Sequence, residues 1–563
     1  MPYVKNKIAV NVPRKSGFDK SHRHSGSLKC GTITPLLFDE VIPGSRVSLR
    51  INIASQLPPL VSDTYMNVKL KTEAFFVPLR LLCRSFEDFF CDFPRRVSYY
   101  SSGTASQTGS SFVDVVPGIP RLALAGSSAI SIPMGPGSLL DYLGMRVNQP
   151  ASATTYISPL PLIAYHLVWQ EWYRNPRVQN PAFSPDLGVT DNTFASSVRG
   201  ASLPYIYFHR DVSTSVVDNC TIPCSSSALL SALNCADGIS LFSLRQRNFG
   251  LDYFTGARVS AQQGQPAAVD IAVPAGTDAA GGTTSFSIAQ LRAMNSIQQF
   301  RERNNISSPR MVEQVRARYN ANLSDGVAQR PICIGFGQYD VNSRGVDQTA
   351  PASSTPTSNP FDGIGAQYGR AYASGSDFII EDFTANEPGY ILVNVTLVPD
   401  VTYATGTPRL FSRYLSVGSI TDMACSLLQN VGDQPIYVNE ITDAGWSPGG
   451  SVFGYQDRYG DFMYMPNRCS GLLRDGQSLD SFVVQRSFNV GPSLNTSFLE
   501  IPTTFLDQVL QVPSTSSGLS AWFDSMLVYK VSMPLAEFSI PSLQDPAYEH
   551  GDRVVLHRNG QVF

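Results

Sequence analysis

VSLRINI, Val47 to Ile53, decides the fold class, because Val47, Leu49, Ile51 and Ile53 alternate with Ser48, Arg50 and Asn52. That period of two belongs to a strand with one buried and one wet face. Outward from it, Val68 to Phe76 repeats the pattern, with Val68, Leu70, Thr72, Ala74 and Phe76 opposite Lys69, Lys71 and Glu73 until Pro78 ends the run. Much later, Tyr390 to Val398 is apolar at nearly every position, and Met526 to Met533 sets Leu527, Tyr529, Val531 and Met533 on one face. Strong strands therefore gather near both ends of the chain.

Three helical patterns lie between them and predict insertions into a β framework. Leu160 to Arg174 places Leu162, Tyr165, Trp169 and Trp172 on one side, behind Pro159 and Pro161, and both tryptophans read as core. Ser287 caps a run containing Ile288, Leu291, Met294, Ile297 and Phe300, and Ser308 with Pro309 opens another containing Val312, Val315 and Tyr319. Loop compositions at Ser101 to Ser111, Gln262 to Thr284 and Gln348 to Asn359 read as surface insertions of one elaborate domain. Only 15% of residues are charged, against roughly 25% in an average soluble protein, and 43 Gly with 39 Pro supply ample turns. The balance predicts a turn-rich β protein with much buried surface. No apolar run approaches the ~20 residues of a membrane span, so a soluble chain without one is expected.

Charge is uneven. Residues 1–30 hold Lys5, Lys7, Arg14, Lys15, Lys20, Arg23 and Lys29 against Asp19 alone, in a chain of net charge −3. Such an arm is expected to be flexible and to meet a polyanion, with Lys5, Lys7, Arg14, Lys15, Lys20 and Arg23 as the phosphate-contacting candidates. No apolar segment follows it to make a secretion signal, so synthesis in a cytoplasm is expected. The nine cysteines are odd in number and lack a C-x-x-C pair; they predict reduced, buried thiols. Cys220, Cys224 and Cys235 lack the spacing of a structural zinc site, and no metal or cofactor is expected. Gly445-Trp446-Ser447-Pro448-Gly449 fits G-x-S-x-G formally, but Pro448 and the glycines after it cannot start the helix a nucleophile elbow needs. His550 and His557 alone follow it, and no phosphate-binding G-x-x-x-x-G-K-[ST] is present. The expectation is a protein without catalytic residues.

FGYQDRYGDFMYMPNRCSGLLRD, Phe453 to Asp475, is dense in aromatics and paired charges. Read alone it is a strand, a turn and solvated charges. It also resembles the F-G-Y-Q-E-R-x-x-E-Y-R-Y-x-P block of microvirus major capsid proteins, especially the gokushovirus branch, which build small icosahedral bacteriophages with single-stranded DNA. SGFDKSHRH (Ser16 to His24) and DEVIPGS (Asp39 to Ser45) are similar to that family's S-x-F-D-x-S-H-x-H and D-E-V-x-P-G-D stretches. EAFFVPLRLL (Glu73 to Leu82), LPLIAYHLVWQEWYRNPRVQNP (Leu160 to Pro181), LDYFTGA (Leu251 to Ala257) and QRPICIGFG (Gln329 to Gly337) follow in the family's order. Two segments depart: ARVSAQQG, Ala257 to Gly264, stands where L-P-W-P-Q-K-G is usual, and only Phe411 to Tyr414 represents R-R-x-R-x-D-F-Y-W-P.

The resemblance implies a single antiparallel eight-stranded jelly roll over residues 31–563, with insertions at about 80–205, 206–385 and 400–480 behind the basic arm 1–30. It implies a homo-oligomeric T=1-type shell around circular single-stranded DNA, found in the virion and assembled in the bacterial cytoplasm. A DNA pilot protein, a small DNA-binding protein and an internal scaffolding protein are the implied partners, with a host receptor. Phe453, Tyr455, Arg458, Tyr459, Tyr464 and Arg468 become candidate subunit-interface residues, since Tyr and Arg are enriched at interface hot spots. In the gokushovirus branch a long insertion after D-Y-F-T-S builds a threefold protrusion; here only Arg258 to Phe286 is available, which implies low relief. A phage tail or receptor-binding protein would need repeats, and a secreted polysaccharide hydrolase would need paired carboxylates; neither feature stands out.

Overall fold

The computed structural model describes residues 15–62, 67–91, 95–99, 111–125, 135–145, 154–184, 200–210, 220–224, 233–261, 288–306, 310–348, 367–413, 432–443, 450–514 and 518–535, with a few single positions between them. Lys5, Lys7, Arg14, the three loop stretches apart from Ser111 and Gln348, the Gly445 to Gly449 motif, His550 and His557 lie outside these residues.

Nine strands make one antiparallel sheet: β1 (Ser16–Asp19), β2 (His22–Leu28), β3 (Thr34–Val41), β4 (Arg46–Gln56), β5 (Val68–Pro78), β6 (Ile332–Gln348), β7 (Gln367–Thr384), β8 (Gly389–Pro399) and β9 (Ala521–Met533). Their lateral order is β1-β9-β4-β7-β6-β5-β8-β3, and β2 continues the line of β1 along the same edge of β9. The eight-strand path curls into a half-barrel, the arrangement of a jelly roll. All four strands expected from periodicity are present, and the first and last lie side by side, with Val47 opposite Val531 and Ile51 opposite Leu527. Their inward residues, Leu49, Ile51, Leu527 and Tyr529, meet Leu70 and Phe76 of β5 in the barrel core.

β6 and β7 belong to this sheet, so the excursion after β5 ends before Ile332 instead of running to about 385. Glycines hid these strands. A Cβ on Gly375 would stand 2.0 Å from the Tyr339 ring, and one on Gly335 would stand 1.7 Å from the Ile379 carbonyl oxygen. Close backbone approach requires glycine at both places and interrupts the apolar alternation.

The boundary expected at residue 30 also moves. Residues 16–28 are edge strands rather than a flexible arm, because their polar backbone completes the ladder of β9. Their charges are matched within the chain: Lys20 pairs with Asp39 at 2.7 Å and Arg23 with Asp524 at 2.5 Å.

A second core lies on the back of the sheet. Phe75 and Val77 of β5 and Tyr390 and Leu392 of β8 pack against helix α1 (Leu160–Val168) and against Phe183, Phe208 and Phe242. β8 is therefore buried on both faces, which explains why its run is apolar at nearly every position. The polar side of β5 is not wet as its pattern predicts, because the insertion roofs it: Arg247 donates twice to Glu73 at 2.8 Å and Tyr173 donates to it at 2.5 Å. α1 runs on into a π-helical turn, Trp169–Tyr173, with Trp169 buried and Trp172 packed beside this core.

Helices α2 (Ile288–Ile306) and α3 (Met311–Tyr319) cover the predicted runs, but α3 has Arg310 as its N-cap, so Ser308 and Pro309 precede it; Ser287, Ser308 and Pro309 lie outside the described residues. Their apolar stripe stays outside, with Leu291 60% and Phe300 49% exposed.

Glu500 ties the two cores together. It accepts from Gln179 Nε2 at 2.9 Å, and burial pushes its carboxyl from the ordinary 4.5 up to about 7. A raised carboxyl keeps its proton in the folded state while the unfolded chain has lost it, so stability falls as pH rises from about 4.5 to 7. Glu500→Gln is expected to match the parent in melting temperature at pH 4.5 and to exceed it by a growing margin up to pH 7, then by a constant one. A difference independent of pH would contradict this.

Candidate intersubunit surface

The block Phe453 to Asp475 is built from a short hairpin outward. Val452–Gln456 pairs antiparallel with Gln434–Tyr437, and on its other edge Arg258 and Tyr455 exchange backbone hydrogen bonds of 2.7 and 2.8 Å. Phe453 points inward, 6% exposed, with its ring 4.9 Å from that of Phe498. The chain then turns sharply at Tyr459, whose φ of 65° is left-handed and strained for a tyrosine. Gln434 holds the turn by accepting from the Tyr459 N–H at 2.9 Å and donating to Asp461 at 2.9 Å.

Two charges of the block, Asp457 and Asp461, are held by arginines from outside it. Arg258 is 7% exposed and bridges Asp433, at 2.6 Å, and Asp457. Burial opposes its charge, but the hydrogen bonds it donates to both carboxylates outweigh that and raise its pKa. Arg413 pairs with Asp461 and lies 3.8 Å from the Phe462 ring centroid. Arg409 sits 3.6 Å from Glu440, whose carboxyl burial pushes up while Arg409 pulls it down. With side-chain exposures of 7, 8 and 4%, Arg258, Arg413 and Glu440 are not solvated surface charges.

Braced in this way, the short helix Gly460–Met463 carries Phe462, Met463, Tyr464 and Met465 outward, at 58, 50, 54 and 83% exposure. Leu410 and Phe411, 73 and 67% exposed, stand beside Arg413 on the neighbouring turn. Six large apolar side chains thus share one region through Arg413. Exposed large apolar side chains gathered in this way make the region a candidate contact site.

Of the expected interface residues, Tyr464 and Arg468 are exposed, Tyr455 and Arg458 are half-buried, and Phe453 and Tyr459 lie inside the protein's own core. Phe462, Met463, Met465, Leu410 and Phe411 were missed by sequence reasoning. Their signal was available: FMYM is four consecutive large apolar residues beside polar turns, a run out of place on a free surface.

Of the arm, Lys15 is exposed, while Lys20 and Arg23 are held in the ion pairs described above; hydrogen bonds from Arg23 and Ser25 draw Asp524 down to about 2. Cys220, Cys224 and Cys235 are buried in the second core, where burial pushes the Cys224 thiol up to about 12 and Cys235 to about 11. Among the described residues no group of three His, Cys, Asp or Glu side chains converges, and no helix is long and apolar enough to cross a membrane.

Residues 7–543 match the Phage_F family model, described as "Capsid protein (F protein)". The chain is 27% identical to "Capsid protein VP1" of Chlamydia phage 1 over 627 aligned positions, covering 97% of this chain and 99% of that protein. It is 25% identical to "Capsid protein VP1" of Bdellovibrio phage phiMH2K over 94% of this chain and 95% of that one. With "Capsid protein VP1" of Spiroplasma virus 4 it shares 22% identity over 95% of this chain and 96% of its relative.

Proposed function

Because the chain belongs to the phage capsid protein (F protein) family, we propose that its copies close into a T=1 icosahedral shell around a circular single-stranded DNA genome. It is a major capsid protein of the microvirus type and a virion component. The observation that carries the shell reading is the braced apolar surface at Leu410, Phe411 and Phe462 to Met465. A lone soluble protein gains nothing from internal struts that hold six apolar side chains in water. Closed shells need heterologous contacts whose rotations close, so each protomer must offer several complementary patches. On this reading the protein works by packing and carries out no reaction. Assembly takes place in the host cytoplasm with an internal scaffolding protein, and a DNA pilot protein and a small DNA-binding protein join the shell. Negative-stain microscopy of the purified protein tests the assembly: uniform small spheres are expected, whereas rods would indicate a fibre and dispersed monomers would sink the shell.

The arm supplies the second part of the proposal. Of the six candidate cations, Lys20 and Arg23 are matched within the chain, so the proposal rests on Lys5, Lys7, Arg14 and Lys15, which contact phosphates without reading bases. Replacing these four by Gln is expected to lower the DNA retained by particles and to flatten the slope of log affinity against log salt by up to about 3. Unchanged DNA content in intact shells would refute it.

The outer surface is proposed to be low at the threefold axes. The alignment with the Chlamydia phage 1 protein spans 627 positions, more than the 563 residues here, so that relative carries sequence this chain lacks. A density map with a tall threefold projection traced to residues 258–286 would contradict this.

A further inference from the structure

Helices α2 and α3 have no reason to be stable where they stand. Isolated helices gain little in water, and most helical stability in proteins comes from packing an apolar face. Yet α3 has no buried residue, and Leu291, Ile297, Phe300, Met311 and Tyr319 are exposed at 60, 47, 49, 70 and 76%. The pair is nevertheless firmly placed. Arg310, at the start of α3, donates to the carbonyls of Glu171, Gln170 and Arg174, capping the end of the Leu160–Tyr173 helix. Arg330 lies 4.7 Å from the Trp172 ring centroid beyond α3, and Arg318 sits 4.8 Å from the Phe300 ring centroid, joining α3 to α2. This is an ordered projection whose apolar face has no cover within the described part of its own chain.

We infer that the exposed face of α2 and α3 is a contact with a second copy of this chain. The inference rests on the shell reading above and names one of its contact surfaces. Charge selects the occupant. The segment 288–319 holds Arg292, Arg301, Arg303, Arg310, Arg316 and Arg318 against Glu302 and Glu313, while the whole chain is −3, so the rest of another copy presents the opposite sign. Apolar residues among those arginines select a protein surface over nucleic acid. Ile297 and Phe300 need an apolar counterface, and aromatic and Arg side chains are what interface centres enrich.

Thiol protection tests this with folded protein. Ile297→Cys and Phe300→Cys, both at exposed positions, are labelled in assembled shells and in protomers released from them, and modification is read peptide by peptide. Labelling is expected to slow at least about tenfold in shells and to recover on release. Equal labelling in both states overturns the inference while leaving the shell intact. Protection in DNA-filled shells but not in empty ones also overturns it and assigns the face to the genome. Failure of the parent protein to form shells removes the shell reading itself, and the inference with it.

Discussion

Arg245→Met is expected to cost about 3–5 kcal/mol, the penalty for removing one partner of a buried ion pair. The Arg245 side chain has no exposure and pairs with Asp237, 11% exposed, while its Nε donates to His166 Nδ1 at 2.8 Å and its guanidinium stacks 4.3 Å from the Trp169 ring centroid. Since Arg can only donate, His166 Nδ1 must accept, which leaves the hydrogen on Nε2 to donate to the Leu241 carbonyl at 2.8 Å. His166 is therefore neutral, and burial holds its pKa well below the ordinary value. Methionine fills the space but strands the Asp237 carboxylate. Urea unfolding should show the loss, and Arg245→Met with Asp237→Leu should recover most of it, because the pair is then removed together. A loss under about 1 kcal/mol for the single variant would show that the second core does not depend on this pair.

Arg258→Met is expected to have a comparable effect, of about 3 kcal/mol, but a different reach. Asp433, only 12% exposed, would lose its 2.6 Å contact with the guanidinium, and Asp457 would lose the strut that fixes the turn into Gly460–Met463. Particle yield should collapse, and limited proteolysis should open new cleavage between Val452 and Met465. Arg258→Lys keeps the charge but not the fork that spans two carboxylates, so it should fall between parent and methionine variant. Normal particle yield from Arg258→Met would separate the brace from the contact surface.

Much of the barrel was legible because three strands obey a clean period of two and bury the predicted faces, while the fourth, Tyr390 to Val398, is an almost wholly apolar run. β6 and β7 were not, since Gly335 and Gly375 serve close approach between strands rather than a face pattern. The wet side of β5 misled for a similar reason: Glu73 looks solvated locally, and only the distant Arg247 and Tyr173 show it to be a docking point. In the Phe453 to Asp475 block, composition marks out the aromatics but not the side to which each one turns. Periodicity cannot say which aromatic turns inward, and Phe453 and Tyr459 did so while Phe462 and Met465 did not. The α2 stripe shows the converse limit, because spacing predicts an apolar face and is silent on which chain covers it.

A cryo-electron density map of purified particles is the decisive measurement. A closed T=1 shell of one jelly-roll protomer is expected, in which Phe462, Met463, Tyr464 and Met465 are covered by a neighbouring copy. A helical or open assembly, or a closed shell in which those four side chains face solvent, would contradict it.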